Sequence, residues 1–330
     1  MTVLVLRALG LGDALTGVAP LRGVRRRFPQ ERLVLAATSE IGSLLRSFGV
    51  IDDVLPHSGL GLLDPAALAV KGLQDGGHVA VNLHGRGPQS HRVLQATRPA
   101  QLIAFGSAEA GHDGPAWLPH EHEVDRWCRL VGSAGGECGR SDLLLGDAPE
   151  PLVHQGESLR DAVVLHPGAA SGSRRWPADR WAEVARVLSS RGERVVVTGV
   201  ESEQSLTASV ASPVPEVLDL GGRLTLAQMD ALVANARLLL SGDTGVAHVA
   251  TARRTPSVVL FGPTPPSQWG PAVDPHLHTL IWRDVPGAPA DPHSDELDAR
   301  LSAVVVDEVV VAACELLATL PAVPTRLVNR

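Results

Sequence analysis

Short apolar runs rich in β-branched residues recur along the chain, each followed by a longer stretch in which apolar positions return every three to four residues. The first series is VLVLRA (3–8), RLVLAA (32–37), HVAVNL (78–83) and QLIAFG (101–106). Runs this short, apolar at nearly every position, predict strands buried on both faces, and the stretches between them predict helices. A second series follows: AVVLHPG (162–168), ERVVVTG (193–199), PEVLDLG (215–221), ARLLLSG (236–242) and PSVVLFG (256–262). Four of these five end in glycine just after the strand and the other in Pro-Gly. The stretch 132–161 between the two series is polar, rich in Gly and Pro and weakly periodic, which predicts a linker and domains of 1–150 and 151–330. Strand-helix alternation on both sides predicts an α/β protein of two doubly wound, parallel-sheet domains facing each other across a cleft, with ligands at the carboxyl ends of the strands. The tail LSAVVVDEVVVAACELLATL (301–320) is β-branched, yet Asp307-Glu308 and Ala312-Ala313 interrupt it at helical spacing. A late helix with a wide apolar face is expected there.

Composition narrows the function classes. The chain has 330 residues, 44% hydrophobic and 20% charged, with a formal net charge of -7. A chain of this kind carries no overall basic footprint, so no nucleic-acid partner is expected. Its three cysteines, Cys128, Cys138 and Cys314, have no metal-site spacing and suit a reducing compartment, which points to the cytoplasm. The apolar N-terminus is interrupted by Arg7, Asp13 and three glycines, unlike a signal peptide or a membrane span. Lys71 is the single lysine and tyrosine is absent, so arginine must serve where other proteins use lysine.

Candidate chemistry gathers at the predicted strand ends. In SGDTGVAHVATA (241–252) Asp243 follows a strand, Thr244 and Gly245 fall at a helix N-terminus, and His248 lies on the first turn. Free N–H groups and the helix dipole at such an end suit a diphosphate, and glycine allows close backbone approach. A carboxylate there would repel phosphate unless it accepts from sugar hydroxyls, so the pattern fits a nucleotide-sugar; alternatively Asp243 or Thr244 caps the helix and His248 packs internally. In HPGAASGSRRWP (166–177) Arg174 and Arg175 project from a small-residue loop that Trp176-Pro177 would anchor, placed to bind phosphate oxygens or to remain solvated. Glu201 and Glu203 follow another strand, where an acid can accept from a ribose or simply favour a helix start. Near the N-terminus Gly10 and Gly12 form a loop and Asp13 opens a helix, either as its cap or as a general base. VNLHGRGPQSHR (81–92) offers His84, Arg86, Gln89 and His91 as an acceptor wall, or is a plain polar loop. His120 and His122 lie two apart with no third ligand, and there is no Asp-x-Asp triplet, so no metal is expected.

These stretches together resemble the ADP-heptose:lipopolysaccharide heptosyltransferase family, glycosyltransferase family 9. The resemblance runs over nearly the whole chain: GLGDAL, HPGAASGSRRWP, ESE, SGDTGVAHVATA, LFGPTPPSQWGP and the terminal VDEVVVAACELL. It implies the GT-B fold and an inverting, metal-independent transfer, without cofactor, of a sugar, a heptose in this family, from a nucleotide-diphospho-sugar to an acceptor hydroxyl. Asp13 matches the base. Arg174 stands where family members usually carry a phosphate-contacting lysine, and Arg and Lys differ in reach and geometry. Glu203 matches the ribose-binding acid, and Asp243, Thr244 and Gly245 match the donor-binding turn. Arg175 and His248 complete the donor set, and Gly12, His84, Arg86 and Gln89 the acceptor set. By family analogy the segment after the second domain crosses back toward the first. The acceptor is a glycan, a glycolipid or a small molecule, and a lipid acceptor implies peripheral contact with a membrane. A nucleotide-sugar 2-epimerase and a non-catalytic sugar-nucleotide binder are the alternatives.

Overall fold

Strands form where both faces can be covered, and helices close those faces. The computed structural model describes residues 2–320, and the chain divides into two units, Met1–Gly146 and Asp147–Arg330. In the first unit β1 (Thr2–Leu6), β2 (Arg32–Ala37), β3 (Asp53–Pro56), β4 (Val79–Asn82) and β5 (Gln101–Ile103) make one parallel sheet in the order β3-β2-β1-β4-β5. One face is filled by Leu4, Leu6, Val34, Ala36 and Leu55 with Val93 and Leu94 of the helix Gln89–Gln95, all buried. Complete burial of a Leu or Val side chain contributes about 1.5–3 kcal/mol.

In the second unit a short hairpin, β6 (Val153–His154) and β7 (Glu157–Ser158), precedes a six-stranded parallel sheet. Its strands are β8 (Val163–His166), β9 (Val195–Val197), β10 (Leu218–Asp219), β11 (Leu238–Gly242), β12 (Ser257–Leu260) and β13 (His278–Ile281), in the order β10-β9-β8-β11-β12-β13. Alternate residues point to opposite faces. Val163, Leu165, Leu238, Leu240, Val258 and Leu260 therefore share one face with Trp181, Val184 and Leu188 of the helix Ala178–Ser190 and with Val309, Ala313 and Leu317 of the helix Val306–Thr319.

Each sheet reverses strand order once, at β1/β4 in the first and at β8/β11 in the second. The crevice beyond the carboxyl ends of such a strand pair is where open α/β sheets bind ligands.

The expected late helix is present as two pieces, Ala299–Ser302 and Val306–Thr319. The break falls where Arg180 donates to the carbonyls of Ser302 and Val304, each at 2.7 Å, and the Trp176 indole donates to Val304 at 3.1 Å. Those carbonyls are thereby taken out of helical pairing. The expected return of the final segment toward the first unit falls partly on residues 321–330, outside the described residues. No helix among the described residues is long and apolar enough to cross a membrane.

Candidate active site

The second unit's switch point is built from two strand-end loops and two glycines that let them meet. Beyond β8, residues 171–174 are fastened to the segment 292–298: Ser173 N–H donates to Ser294 O at 2.9 Å, and the Ser171 hydroxyl donates to Pro292 O at 2.6 Å. A Cβ at Gly172 would stand 1.8 Å from Asp295 O, so only glycine fits. Trp176, 2% exposed, locks the far end of the loop, edge-to-face on Trp181 with ring centroids 5.1 Å apart. The loop is thus a held element, anchored at Trp176 as the sequence predicts. From it Arg174 donates Nη1–H to Asp243 O at 3.3 Å and Nε–H to the Ser171 hydroxyl at 3.2 Å, which joins the loop after β8 to the turn after β11. Gly242 accommodates that crossing, since a Cβ there would come within 3.1 Å of Arg174 O. Arg175 is exposed, with Nε–H on Ala169 O at 2.8 Å.

The turn after β11 leads into the helix Gly245–Arg253 with Thr244 as N-cap. Thr244 does not cap with its side chain; its hydroxyl is buried and has no hydrogen-bond partner. A buried hydroxyl without a partner at a helix N-terminus is a group that a bound acceptor could satisfy. Asp243 is 7% exposed and its N–H donates to Leu260 O at 3.0 Å. His248, 8% exposed, lies edge-to-face against Trp269 at 5.8 Å, so its ring is part of the packing beneath the turn. Glu203, 6% exposed, accepts from Val200 N–H at 2.9 Å, and its carboxylate lies over Gly168, where a Cβ would come within 2.1 Å of it. Glu201 is exposed. Arg174, Asp243, Thr244 and Gly245 are therefore brought together at the switch point, with Glu203 on the neighbouring strand end. Beneath them His166 is buried, its Nδ1 3.0 Å from the Thr198 hydroxyl, and burial pushes its pKa down to about 4.

The first unit's switch point carries Asp13 and His84. Asp13 is the third residue of the helix Leu11–Thr16, with Gly10 as N-cap, so it does not open the helix as its sequence position suggests. Its side chain is 30% exposed and Gly12 is half-buried beside it. His84 Nδ1 accepts from Ala8 N–H at 3.2 Å, tying the end of β4 to the end of β1. Burial first, and then the Arg7 charge, lower the His84 pKa to about 4, so the ring is neutral at pH 7. Arg86 and Gln89 are exposed. His91 is not: it is fully buried, with Nε2 2.7 Å from Phe105 O and Nδ1 3.0 Å from Asn82 Nδ2, so it braces the loop instead of facing an acceptor.

The sequence reading passed over Arg7. It reads as the last polar residue of a strand, yet it is 1% exposed, and its guanidinium donates to Asp13 O, Leu83 O and the Thr16 hydroxyl. The available signal was a charge at the end of an apolar run beside a glycine loop, since a buried arginine must be paired.

A family model for glycosyltransferase family 9 (heptosyltransferase) matches residues 118–286, just over half of the chain. The chain belongs to glycosyltransferase family 9. Among relatives, the lipooligosaccharide heptosyltransferase 2 of Haemophilus influenzae is 31% identical over 121 residues, 35% of either chain, so the match spans about a third of that relative's length. The lipopolysaccharide heptosyltransferase 2 of Salmonella typhimurium is 25% identical over 307 residues, covering 81% of this chain and 84% of the relative. The solved ADP-heptose lps heptosyltransferase II of E. coli superposes with a TM-score of 0.75 at 20% identity, covering 97% of this chain and 99% of that one. That likeness shows the family's fold: GT-B, with two Rossmann-like domains, one for each sheet described above.

Proposed function

We propose that this family 9 protein transfers a heptosyl group from ADP-heptose to a glycan hydroxyl, with inversion and without a metal. The observation that carries the reading is the β8/β11 switch point, where the Arg174 guanidinium, bonded to Asp243 O, stands beside a partnerless Thr244 hydroxyl at a helix N-terminus. That set can hold a diphosphate and stabilise it as it leaves, because preorganised donors supply what a cation otherwise would. Among the described residues there is no group of three or more His, Cys, Asp or Glu placed to hold a metal ion. Glu203 is assigned to the ribose, Asp243 to the sugar hydroxyls, and the exposed Arg175 to an outer phosphate contact. His248 supports the turn from below.

In the proposed step the acceptor oxygen bonds to the anomeric carbon while the bond to the diphosphate oxygen breaks. The acceptor proton passes to the Asp13 carboxylate, and the electron pair of the broken bond leaves on ADP. A positioned base contributes about 10²–10⁴-fold. Gly12, His84, Arg86 and Gln89 line the acceptor side of this reading, with neutral His84 able to donate from Nε2. The relatives named above act on lipopolysaccharide or lipooligosaccharide, so the first acceptor to test is lipopolysaccharide lacking heptose; an acceptor of that kind would bring the protein to a membrane surface.

The test is ADP release from ADP-heptose with that acceptor in the presence of a chelator, with the product's anomeric configuration read by NMR. Transfer with inversion, undiminished by chelation, is expected. Isomerised donor in the absence of acceptor would instead favour an epimerase, and donor binding without any turnover a sugar-nucleotide sensor.

A further inference from the structure

We infer that Arg7 is a positioning residue for Asp13, acting through that carboxylate and not on either substrate; the inference rests on the reading of Asp13 as base. Arg7 directly follows β1, where the chain turns into the glycine loop, and its whole side chain is withdrawn from water. Its fork reaches three separate segments. Nε–H donates to Asp13 O and one Nη2–H to the Thr16 hydroxyl at 2.9 Å, both on the short helix that carries the base. Nη1–H donates to Leu83 O, beyond β4, and Nη2–H also reaches Glu123 Oε1 at 3.3 Å on the helix Glu123–Ser133. Gly17 makes room for this, since a Cβ there would come within 2.8 Å of Arg7 Cδ and Nε. Thr16 completes the ring by donating to the same Asp13 carbonyl at 3.0 Å.

Such a fork exceeds what a strand end needs. It fixes the backbone of the base, and it places a positive charge 3.8 Å from Asp13 Oδ1, an ion pair longer than a hydrogen bond. A bidentate clamp on that carboxylate would stabilise its charged form and so weaken it as a base. Here Glu123 takes up the closer share of the charge. Its carboxylate is itself held by Arg126 and by the Trp127 indole, whose ring also lies under the Arg7 guanidinium at 5.1 Å. Asp13 is thereby oriented by Arg7 while its side chain keeps its exposure. Lysine could satisfy the charge but not four partners in one plane.

The experiment is a double-mutant cycle with Arg7→Met, Arg7→Lys, Asp13→Asn and the two double variants, using ADP-heptose and lipopolysaccharide lacking heptose. Melting temperature, donor KM and kcat are measured for each. Because a misplacement of about 1 Å can cost about 100-fold, Arg7→Met should lower kcat by about that factor with donor KM unchanged, and Arg7→Lys should recover part of it. In the Asp13→Asn background neither Arg7 change should cost anything further, since the residue through which Arg7 acts is already gone. Full kcat in both single Arg7 variants, or losses that multiply with that of Asp13→Asn, would overturn the inference and leave the base assignment standing. Wild-type kcat in Asp13→Asn would instead sink the base, and an inactive wild type the function, and either takes the inference with it. If Arg7→Met does not fold, the cycle is read from Arg7→Lys, which keeps the charge and the stem.

Discussion

Gly172→Ala is the sharpest test of how the donor site is held. The added Cβ would stand 1.8 Å from Asp295 O and 2.4 Å from its carbonyl carbon, both backbone atoms that cannot swing aside. Reaching ordinary contact requires the two segments to part by roughly 1.5 Å. The bonds across that seam are Ser173 N–H to Ser294 O, the Ser171 hydroxyl to Pro292 O, and the longer Asp298 N–H to Ser173 O at 3.4 Å. At about 0.5–1.5 kcal/mol each, loss of the first two costs about 1–3 kcal/mol, which lowers melting by about 2–12 °C in a domain of this size. Arg174, two residues along the chain, moves with the loop. Losing a charge-assisted phosphate contact of about 1.5–3 kcal/mol weakens binding about 10- to 100-fold. Calorimetric titration with ADP and a thermal melt measure both effects. Gly132→Ala is the control: it lies in the helix Glu123–Ser133 with nothing near its would-be Cβ, so it should leave ADP affinity unchanged and stabilise by up to about 1 kcal/mol. Wild-type ADP affinity and melting in Gly172→Ala would refute the claim that this seam sets the position of Arg174.

Three further outcomes are expected. Arg174→Ala should weaken ADP binding by the same 10- to 100-fold, roughly, while Arg174→Lys retains much of it; an unchanged alanine variant in the same titration would transfer the phosphate role to Arg175. Asp13→Asn should leave donor affinity and melting nearly intact and lower turnover by at least about 100-fold, and single-turnover rates near wild type would reduce Asp13 to a helix residue. Stability should fall on mild acidification: burial lowers the pKa of His84, His166 and His278 from 6.5 to about 4, so between those values the unfolded chain binds more protons than the folded one. The contribution is complete above pH 6.5 and is lost as the pH falls toward 4; a melting temperature that stays flat over that range would contradict it.

The sheet strands legible in the sequence were those with an apolar residue at nearly every position, because a strand covered on both faces leaves that mark and little else does. β3 (DVLP) and β13 (HTLI) escaped notice, since edge strands carry polar and proline positions and neither ends on glycine. The hairpin of β6 and β7 was hidden in the linker by its two-residue strands. The turn at Asp243, Thr244 and Gly245 and the loop at Arg174 could be singled out because each lies just past a strand, with its residues close together along the chain. The packing around Asp13 was not: Arg7, Leu83 and Glu123 are brought together by three separate segments, and no local spacing announces that. His91 erred the other way, for a histidine in a polar loop looks exposed until the loop folds over it.

The core of the second unit is closed by the helix Val306–Thr319, whose Val309, Ala313 and Leu317 pack with residues from as far back as Val163. On the ribosome this imposes a schedule. The first unit is complete once residue 146 has emerged, whereas the strands that follow must wait with that face only partly covered, by the helix Ala178–Ser190, until the late helix arrives. At about 5–20 residues per second the 59 residues from the end of β12 to the end of that helix take about 3–12 s, during which the part of the face that the helix will cover stays open to other chains. Destabilising changes in the late helix should therefore lower the yield of folded protein more than they lower the stability of molecules that have already folded.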